Sequence, residues 1–149
     1  MTLRAEPITA ENASLFLQMA EDFHQEDGHP LTPAGKTSIL DVAAGVDLAP
    51  AYFITENHDK IGFFVLSLGY SPEHGGTDGF IDDIYILPTH RSRGLGRQAL
   101  NLAIQKSRHH GIRVLLLEVE AENHRAYHLY TALGFTDTKR RLLRLVLDE

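Results

Sequence analysis

The segment from Phe80 to Arg97 constrains this chain most, since it combines an apolar strand, a stop and a basic loop that opens a helix. Phe80 to Leu87 is mostly apolar, Pro88 ends the strand, and the loop that follows carries three arginines with Gly94 and Gly96. Glycine lets a backbone approach a ligand closely, and the first N–H groups of a helix have no partner inside it. These donors carry about half a positive charge, so the segment predicts a site for a phosphorylated ligand.

Alternating strand-like and helix-like patterns along the chain predict an α/β (α+β) fold. Thr32-Pro33 and Asn123 are helix N-cap signals, and residues 69–79 are predicted as a glycine-rich loop. With no repeat or linker visible, we expect one domain over 1–149, with a mixed central sheet of six to seven strands flanked by about four helices. The predicted helices cover 9–24, 32–46, 93–110 and 123–133, and the predicted strands cover 2–7, 51–56, 61–68, 80–87, 113–120 and one or two segments of 135–147.

Composition excludes several classes of protein. The chain has 149 residues, 43% of them hydrophobic, which is enough for one buried core. It has no cysteine, so disulfides, zinc-thiolate sites and a cysteine nucleophile are excluded. The first residues lack the apolar core of a signal peptide, and no apolar run reaches the ~18–20 residues of a membrane span. We therefore expect a soluble, cytoplasmic protein with no membrane partner.

The net charge of −6 is unevenly distributed. Residues 1–90 hold 3 Lys and Arg against 14 Asp and Glu, a balance of −11, whereas residues 91–149 hold 11 against 6, a balance of +5. A basic second part favours an anionic ligand, and an acidic first part favours a cationic substrate. Nucleic acid is not an expected partner, because the chain is acidic and has no basic stripe interleaved with aromatic residues.

The glycine loop differs from two common nucleotide-binding loops. Its pattern, Arg91-x-x-Gly94-x-Gly96, lacks the third glycine of the dinucleotide-binding fingerprint and the Gly-Lys-Ser/Thr of a nucleotide-triphosphate loop. A second block, from Asn123 to Phe135, opens on an asparagine, has a tyrosine seven residues on and closes in Gly-Phe. Together with the strand before the loop, the two blocks resemble the acetyl-CoA motifs of the GNAT superfamily of N-acetyltransferases.

The resemblance implies a GNAT-like fold that binds acetyl-CoA as a co-substrate. The backbone of 84–86 would pair with the pantetheine arm, and the amides of 92–97 would hold the pyrophosphate, with Arg91 and Arg97 adding charge. The second block would contact the same molecule through its first residues. The cofactor-binding residues implied in this way are Ile84, Tyr85, Ile86, Arg91, Ser92, Arg93, Gly94, Leu95, Gly96, Arg97, Asn123 and Ala126.

The resemblance also implies that the hydroxyl of Tyr130 lies near the sulfur of acetyl-CoA, as the acid that protonates the departing thiolate. With pKa values of about 10 for tyrosine and about 8.5 for a thiol, complete proton transfer is uphill by roughly 2 kcal/mol. A hydrogen bond that stabilises the developing negative charge is the alternative role. From spacing alone Tyr130 is equally well a core residue, since it shares a helix face with Ala126 and Leu133.

Transfer to an amine also needs a base. An alkylammonium group with a pKa near 10.4 must lose a proton, which costs about 4–5 kcal/mol at neutral pH. Asp82 is the first candidate, because it precedes the cofactor strand and shares a strand face with Ile84. Asp83 is next, since a bulge here would change which side chain points inward. Glu118 and Glu73 are alternatives, and for each carboxylate a solvated edge or loop position is an equally good interpretation.

The sequence predicts no metal site. His124 and His128 lie four apart on a predicted helix, but Arg125 stands where the metalloprotease pattern needs a glutamate. We interpret the 9 histidines as surface or pocket-rim residues.

The predicted activity is direct transfer of an acetyl group from acetyl-CoA to a primary amine in a ternary complex. The acidic first part favours a small cationic amine as acceptor. The alternatives are a protein N-terminus or lysine as acceptor, and a non-catalytic acyl-CoA-binding sensor. The resemblance is compatible with a homodimer.

Overall fold

The computed structural model describes residues 2–91 and 93–148 and contains two compact units, Met1–Leu117 and Glu118–Glu149. Among the described residues, the first unit holds five strands and three α-helices, and the second holds one α-helix. The elements in chain order are β1 (Leu3–Pro7), α1 (Ala13–Glu26), α2 (Pro33–Gly45), β2 (Ala51–Glu56), β3 (Asp59–Ser71), β4 (Gly76–Ile86), α3 (Leu95–His109), β5 (Val114–Leu116) and α4 (His124–Ala132).

The five strands form one mixed sheet in the order β1-β2-β3-β4-β5. Neighbours from β1 to β4 are antiparallel, and β5 runs parallel to β4. The parallel pair is connected through α3, as a parallel connection requires a crossover. The predicted mixed α/β fold and its four helices are confirmed, whereas the described sheet has fewer strands than the six to seven predicted.

The core that positions the site lies between α1, α2 and one face of the sheet. Phe16 of α1 is fully buried and contacts the rings of Phe53 and Phe63 edge to face, with centroids 6.4 and 5.2 Å apart. Burial of each such side chain contributes about 1.5–3 kcal/mol. Tyr85 belongs to the same cluster through Phe23 and Phe63. The cluster therefore holds the last turns of α1 against β4.

The helices begin and end close to their predicted limits. A short 3-10 turn at Ala10–Asn12 precedes α1, and the side chain of Thr9 forms no capping hydrogen bond. Gly111 follows α3 with φ of 76°, the left-handed conformation that favours glycine after a helix. None of the helices in the described part of the chain has the length and apolar character needed to cross a membrane.

Helix α2 begins with the predicted cap, in which Thr32 Oγ1 accepts a hydrogen bond from the Gly35 N–H at 3.0 Å. We expect Thr32→Ala to lower the free energy of unfolding by about 1 kcal/mol, because a first-turn N–H loses its partner. Urea denaturation measures the change. Thr37→Ala is the control, since the Thr37 hydroxyl donates within the helix to the Pro33 carbonyl and alanine is a better helix former. Equal losses in both variants would contradict the capping role.

The predicted loop at 69–79 is wrong, because both strands extend into it. β3 continues to Ser71 and β4 starts at Gly76, so residues 72–75 alone form the turn. Gly79 is a position of close packing rather than a turn residue. A Cβ built there would lie 2.8 Å from the Ser67 carbonyl oxygen and 2.7 Å from the Ile112 side chain.

The one or two strands predicted within 135–147 do not occur in the described residues of the second unit. A strand needs a neighbour to satisfy its backbone groups, and strand-like composition does not supply one. The apolar side chains that gave the strand-like pattern are exposed: Leu142, Leu143, Leu145, Val146 and Leu147. The missing strands account for the lower strand count of the sheet, and β5 is also shorter than the predicted 113–120.

Candidate active site

A bulge in β4 decides which of two neighbouring aspartates is buried. Val65 of β3 lies opposite Asp83, but the next residue, Leu66, lies opposite Ile81, so Asp82 is an extra residue. An extra residue in a strand changes the direction in which the neighbouring side chains point. Asp83 is 7% exposed and contacts α1, whereas Asp82 is exposed. Of these two predicted carboxylates, the bulge brings Asp83 to a protected position.

Asp83 is paired with His24, for which no role was predicted. His24 lies in the last turn of α1, and its Nε2 is 3.2 Å from Asp83 Oδ2. The hydrogen bond to Asp83 raises the pKa of His24, the charges of Asp27 and Asp82 act in the same direction, and partial burial opposes them. The helical spacing of the sequence could have predicted that His24 faces the core. His24 follows the fully buried Ala20 by four positions, which places it on the inner face of α1.

One edge of β4 is open where the resemblance places the pantetheine arm. β5 pairs with β4 at 78–80, and no described strand pairs with that edge of β4 beyond Phe80. On its other edge, β4 continues to pair with β3 as far as Ile86. Backbone N–H and C=O groups without a strand partner can pair with an added extended chain. The geometry of 84–86 therefore fits an extended ligand.

The glycine loop ends in a left-handed residue that starts α3. Gly94 has φ of 72° and is the N-cap of α3. Apart from its chain neighbours, no described residue lies within 4 Å of a Cβ built on Gly94, so among the described residues the backbone faces open space. No acidic residue lies in the first turn of α3, which leaves the positive end of the helix dipole without a neutralising side chain in that turn. These features fit a pyrophosphate group. Ser92, predicted to donate its amide, lies outside the described residues.

Arg91 connects the glycine loop to α1 through an ion pair. Its guanidinium forms a two-pronged ion pair with the Glu26 carboxylate, in which Nη2 lies 2.9 Å from Oε2. Its Nε donates to the Ile86 carbonyl at 2.8 Å, and its charge lies 5.4 Å from the centre of the Tyr85 ring. The Arg91 hydrogen bonds hold the pKa of Glu26 below its usual range. The Glu26 carboxylate thus offsets part of the positive charge that the sequence predicts for the pyrophosphate site.

Arg93 is paired with a second carboxylate. Its Nη2 lies 2.8 Å from Oε2 of Glu56, the last residue of β2, whose side chain is 9% exposed. This ion pair ties the loop to the turn between β2 and β3. Arg97, in the first turns of α3, is exposed and is the one loop arginine with no carboxylate partner among the described residues. Arg97 is therefore the arginine best suited to add charge to an anion.

In the second unit, α4 places the other predicted residues. Asn123 Oδ1 accepts a hydrogen bond from the Ala126 N–H at 3.1 Å, so both residues lie at the start of this helix. The ring of Tyr130 packs edge-on against Phe135, with centroids 6.1 Å apart. Burial raises the pKa of Tyr130. Glu118 is exposed and lies beyond the end of β5 rather than on the strand predicted for it.

The acidic and imidazole side chains meet in pairs. His24 contacts Asp83, and His74 of the β3–β4 turn contacts Asp78 at 2.9 Å. Across 2–91 and 93–148, no three His, Asp or Glu side chains gather in a way that could hold a metal ion. A histidine paired with one carboxylate is an arrangement that can hold or move a proton near neutral pH.

Comparison with known protein families supports the resemblance. The family model for the acetyltransferase (GNAT) family matches residues 15–135. An uncharacterized N-acetyltransferase of Bacillus subtilis (strain 168), YycN, is 29% identical over 153 residues, which cover 93% of this chain and 95% of that protein. The matched region contains the glycine loop and the block from Asn123 to Phe135.

Solved structures share the fold. An integron cassette protein from the mobile metagenome of Cole Harbour Salt Marsh has a TM-score of 0.80 at 29% identity, covering 97% of this chain and 91% of that one. The aminoglycoside N-acetyltransferase AAC(6')-Iy, in complex with CoA, has a TM-score of 0.75 at 18% identity, covering 98% and 95%, which shows a shared fold. Because the family model matches most of its length, the chain belongs to the GNAT family and is an acetyltransferase that uses acetyl-CoA.

Proposed function

We propose that this acetyltransferase moves an acetyl group directly to a primary amine, and that its acceptor is a small cationic amine. The observation that carries the proposal is the gathering of carboxylates around the β4 bulge in the first unit. Such a gathering attracts an ammonium group and disfavours an anionic acceptor. Besides Glu26, whose charge is offset by Arg91, the carboxylates that act electrostatically on His24 or on Tyr85 at this place are Asp22, Asp27, Asp82 and Asp83.

A neighbour of the same fold acts on a cationic acceptor. AAC(6')-Iy is an aminoglycoside N-acetyltransferase, and aminoglycosides carry several amino groups. At 18% identity, the likeness shows a shared fold. The proposal for this chain therefore depends on its own carboxylates.

Within one catalytic domain over 1–149, the two motif blocks hold acetyl-CoA and Tyr130 acts on its sulfur. The open edge of β4 at 84–86 binds the pantetheine arm, and the backbone from Gly94 to Arg97 binds the pyrophosphate. Asn123 and Ala126 contact the co-substrate from α4. Acetyl-CoA supplies an activated thioester carbonyl, and the Tyr130 hydroxyl donates a hydrogen bond to the sulfur as the thiolate departs.

Calorimetry with acetyl-CoA, followed by thiol-release assays on an acceptor panel, tests the proposal. The panel contains spermidine, tyramine and kanamycin as cations, glutamate as an anionic amine, and a peptide with a free N-terminus. We expect acetyl-CoA to bind, and CoA release to be at least about tenfold faster with the best cation than with glutamate.

Each other outcome contradicts a defined part of the proposal. Equal thiol release with and without an amine would contradict transfer to amines. Preference for the peptide would replace the small amine with a protein acceptor. Binding without release on any acceptor would favour an acyl-CoA-binding sensor.

A further inference from the structure

We propose that His24 is the base of this reaction, and that Asp83 holds its ring in place and stabilises the positive charge that the ring acquires. Nδ1 of His24 takes the proton of the attacking amine, while Nε2 stays bonded to Asp83. The inference rests on the proposed function, because it assumes an amine acceptor at the β4 bulge. It adds to that function a residue from α1 that neither motif contains.

The contact with Asp83 fixes which ring nitrogen is available. With Nε2–H donating to Asp83 Oδ2 across 3.2 Å, a neutral imidazole keeps its unprotonated nitrogen at Nδ1. A carboxylate behind an imidazole orients the ring and stabilises the imidazolium that forms when a proton arrives. The ring of Phe23 lies edge-on to His24, with centroids 4.9 Å apart, and limits its rotation.

His24 is easier for an acceptor to reach than Asp83. The His24 side chain is 21% exposed and that of Asp83 is 9% exposed, and the imidazole already occupies one Asp83 oxygen. Imidazole is also the stronger base, with an ordinary pKa about 2.6 units above that of an aspartate. Proton transfer from an alkylammonium group to His24 is therefore less unfavourable than transfer to Asp83.

The charged groups around His24 favour its protonated form. Asp27, directly after α1, and Asp82 and Asp83 on β4 are the charges that act on it. The hydrogen bond with Asp83 has the largest effect and raises the pKa of His24 above 6.5, against the effect of burial. The hydrogen bond and the carboxylate charges together make His24 a better proton acceptor than an ordinary histidine.

The proton and the bonding electrons balance in the proposed step. The amine nitrogen forms a bond to the acetyl carbonyl carbon, and its proton passes to Nδ1 of His24. The carbon–sulfur bond breaks, and its electron pair leaves on sulfur as the CoA thiolate. The thiolate, to which the Tyr130 hydroxyl donates a hydrogen bond, acquires a proton from water, and the imidazolium returns its proton to solvent.

The pH dependence of kcat, measured with spermidine or the fastest cation of the panel, tests the role of the pair. A base acts in its neutral form, so kcat should fall as the pH drops through the pKa of His24, above 6.5. Asp83→Asn removes the carboxylate whose hydrogen bond raises this pKa, so the midpoint should move to lower pH. An unmoved midpoint would overturn the inference.

A matched pair of histidine variants separates a catalytic role from a general effect of losing a His–Asp contact. His24→Gln should lower kcat about 100-fold, with acetyl-CoA affinity unchanged by calorimetry. His74→Gln removes the His74–Asp78 pair, which also lies in the first unit, and should change kcat less than about twofold. Equal effects of the two variants, or a His24→Gln variant with the wild-type kcat, would overturn the inference.

The nitrogen NMR spectrum of the histidine rings provides a test that needs no acceptor. The signals that disappear in His24→Gln belong to His24, and above its pKa they should show Nδ1 as the unprotonated nitrogen. The opposite tautomer would overturn the inference even if amines are acetylated. If no amine of the panel is acetylated, the proposed function itself is contradicted. If amines are acetylated and His24→Gln keeps the wild-type kcat, the role of His24 alone is contradicted.

Discussion

A Gly94→Val variant is expected to lose about 100-fold in affinity for acetyl-CoA, the equivalent of about 3 kcal/mol of backbone hydrogen bonds to the pyrophosphate. Gly94 has φ of 72°, and a Cβ there points into space that, apart from its chain neighbours, no described residue occupies within 4 Å. That space is where the proposal puts the anion. A branched side chain would therefore exclude the ligand rather than collide with the protein.

The left-handed backbone adds a cost in folding that must be separated from the loss of binding. A non-glycine residue in this conformation costs about 1–3 kcal/mol. Gly111, at the other end of α3, has φ of 76° and an equally open surrounding, but it lies outside the loop. Gly111→Val is thus a control with a matched strain and no proposed contact to the ligand.

Calorimetry and thermal unfolding on both variants give the result. Similar losses of stability, with acetyl-CoA affinity lost in Gly94→Val and retained in Gly111→Val, would support the anion site at the start of α3. Retained affinity in Gly94→Val, or equal loss in both variants, would contradict it.

Most elements were predictable because their signals are local. A cap depends on residues three apart, and Thr32 and Asn123 each accept the backbone hydrogen bond that such spacing predicts. The turn after β2 is also local, since Asn57 and His58 take positive φ of 50° and 73° and join two strands as a hairpin. The order of strands and helices followed from such signals.

The arrangement of the site was less predictable, because it depends on contacts between distant residues. His24 and Asp83 are 59 positions apart, and Glu26 and Arg91 are 65 apart. No motif contains either pair. The choice between Asp82 and Asp83 depends on a bulge, which is a property of the register between two strands rather than of either sequence.

A Tyr130→Phe variant is expected to bind acetyl-CoA with wild-type affinity and to turn over about 100-fold more slowly, the effect of removing one donor aimed at a developing negative charge. Burial raises the pKa of Tyr130, which makes its hydroxyl a weaker acid than an ordinary tyrosine. Complete proton transfer to a thiolate is then more unfavourable. The hydroxyl is therefore expected to act as a hydrogen-bond donor to the sulfur.

The raised pKa also predicts how the wild-type enzyme responds to alkali. Tyr130 stays protonated to a pH above about 10, so it should cause no fall in kcat below that pH. Tyr127→Phe, on the same helix and more exposed, is the control and should keep its turnover within about twofold. If Tyr130→Phe keeps its turnover as well, Tyr130 has no role in the chemistry and its burial against Phe135 is structural. Loss of acetyl-CoA binding in Tyr130→Phe would instead make its hydroxyl a binding group.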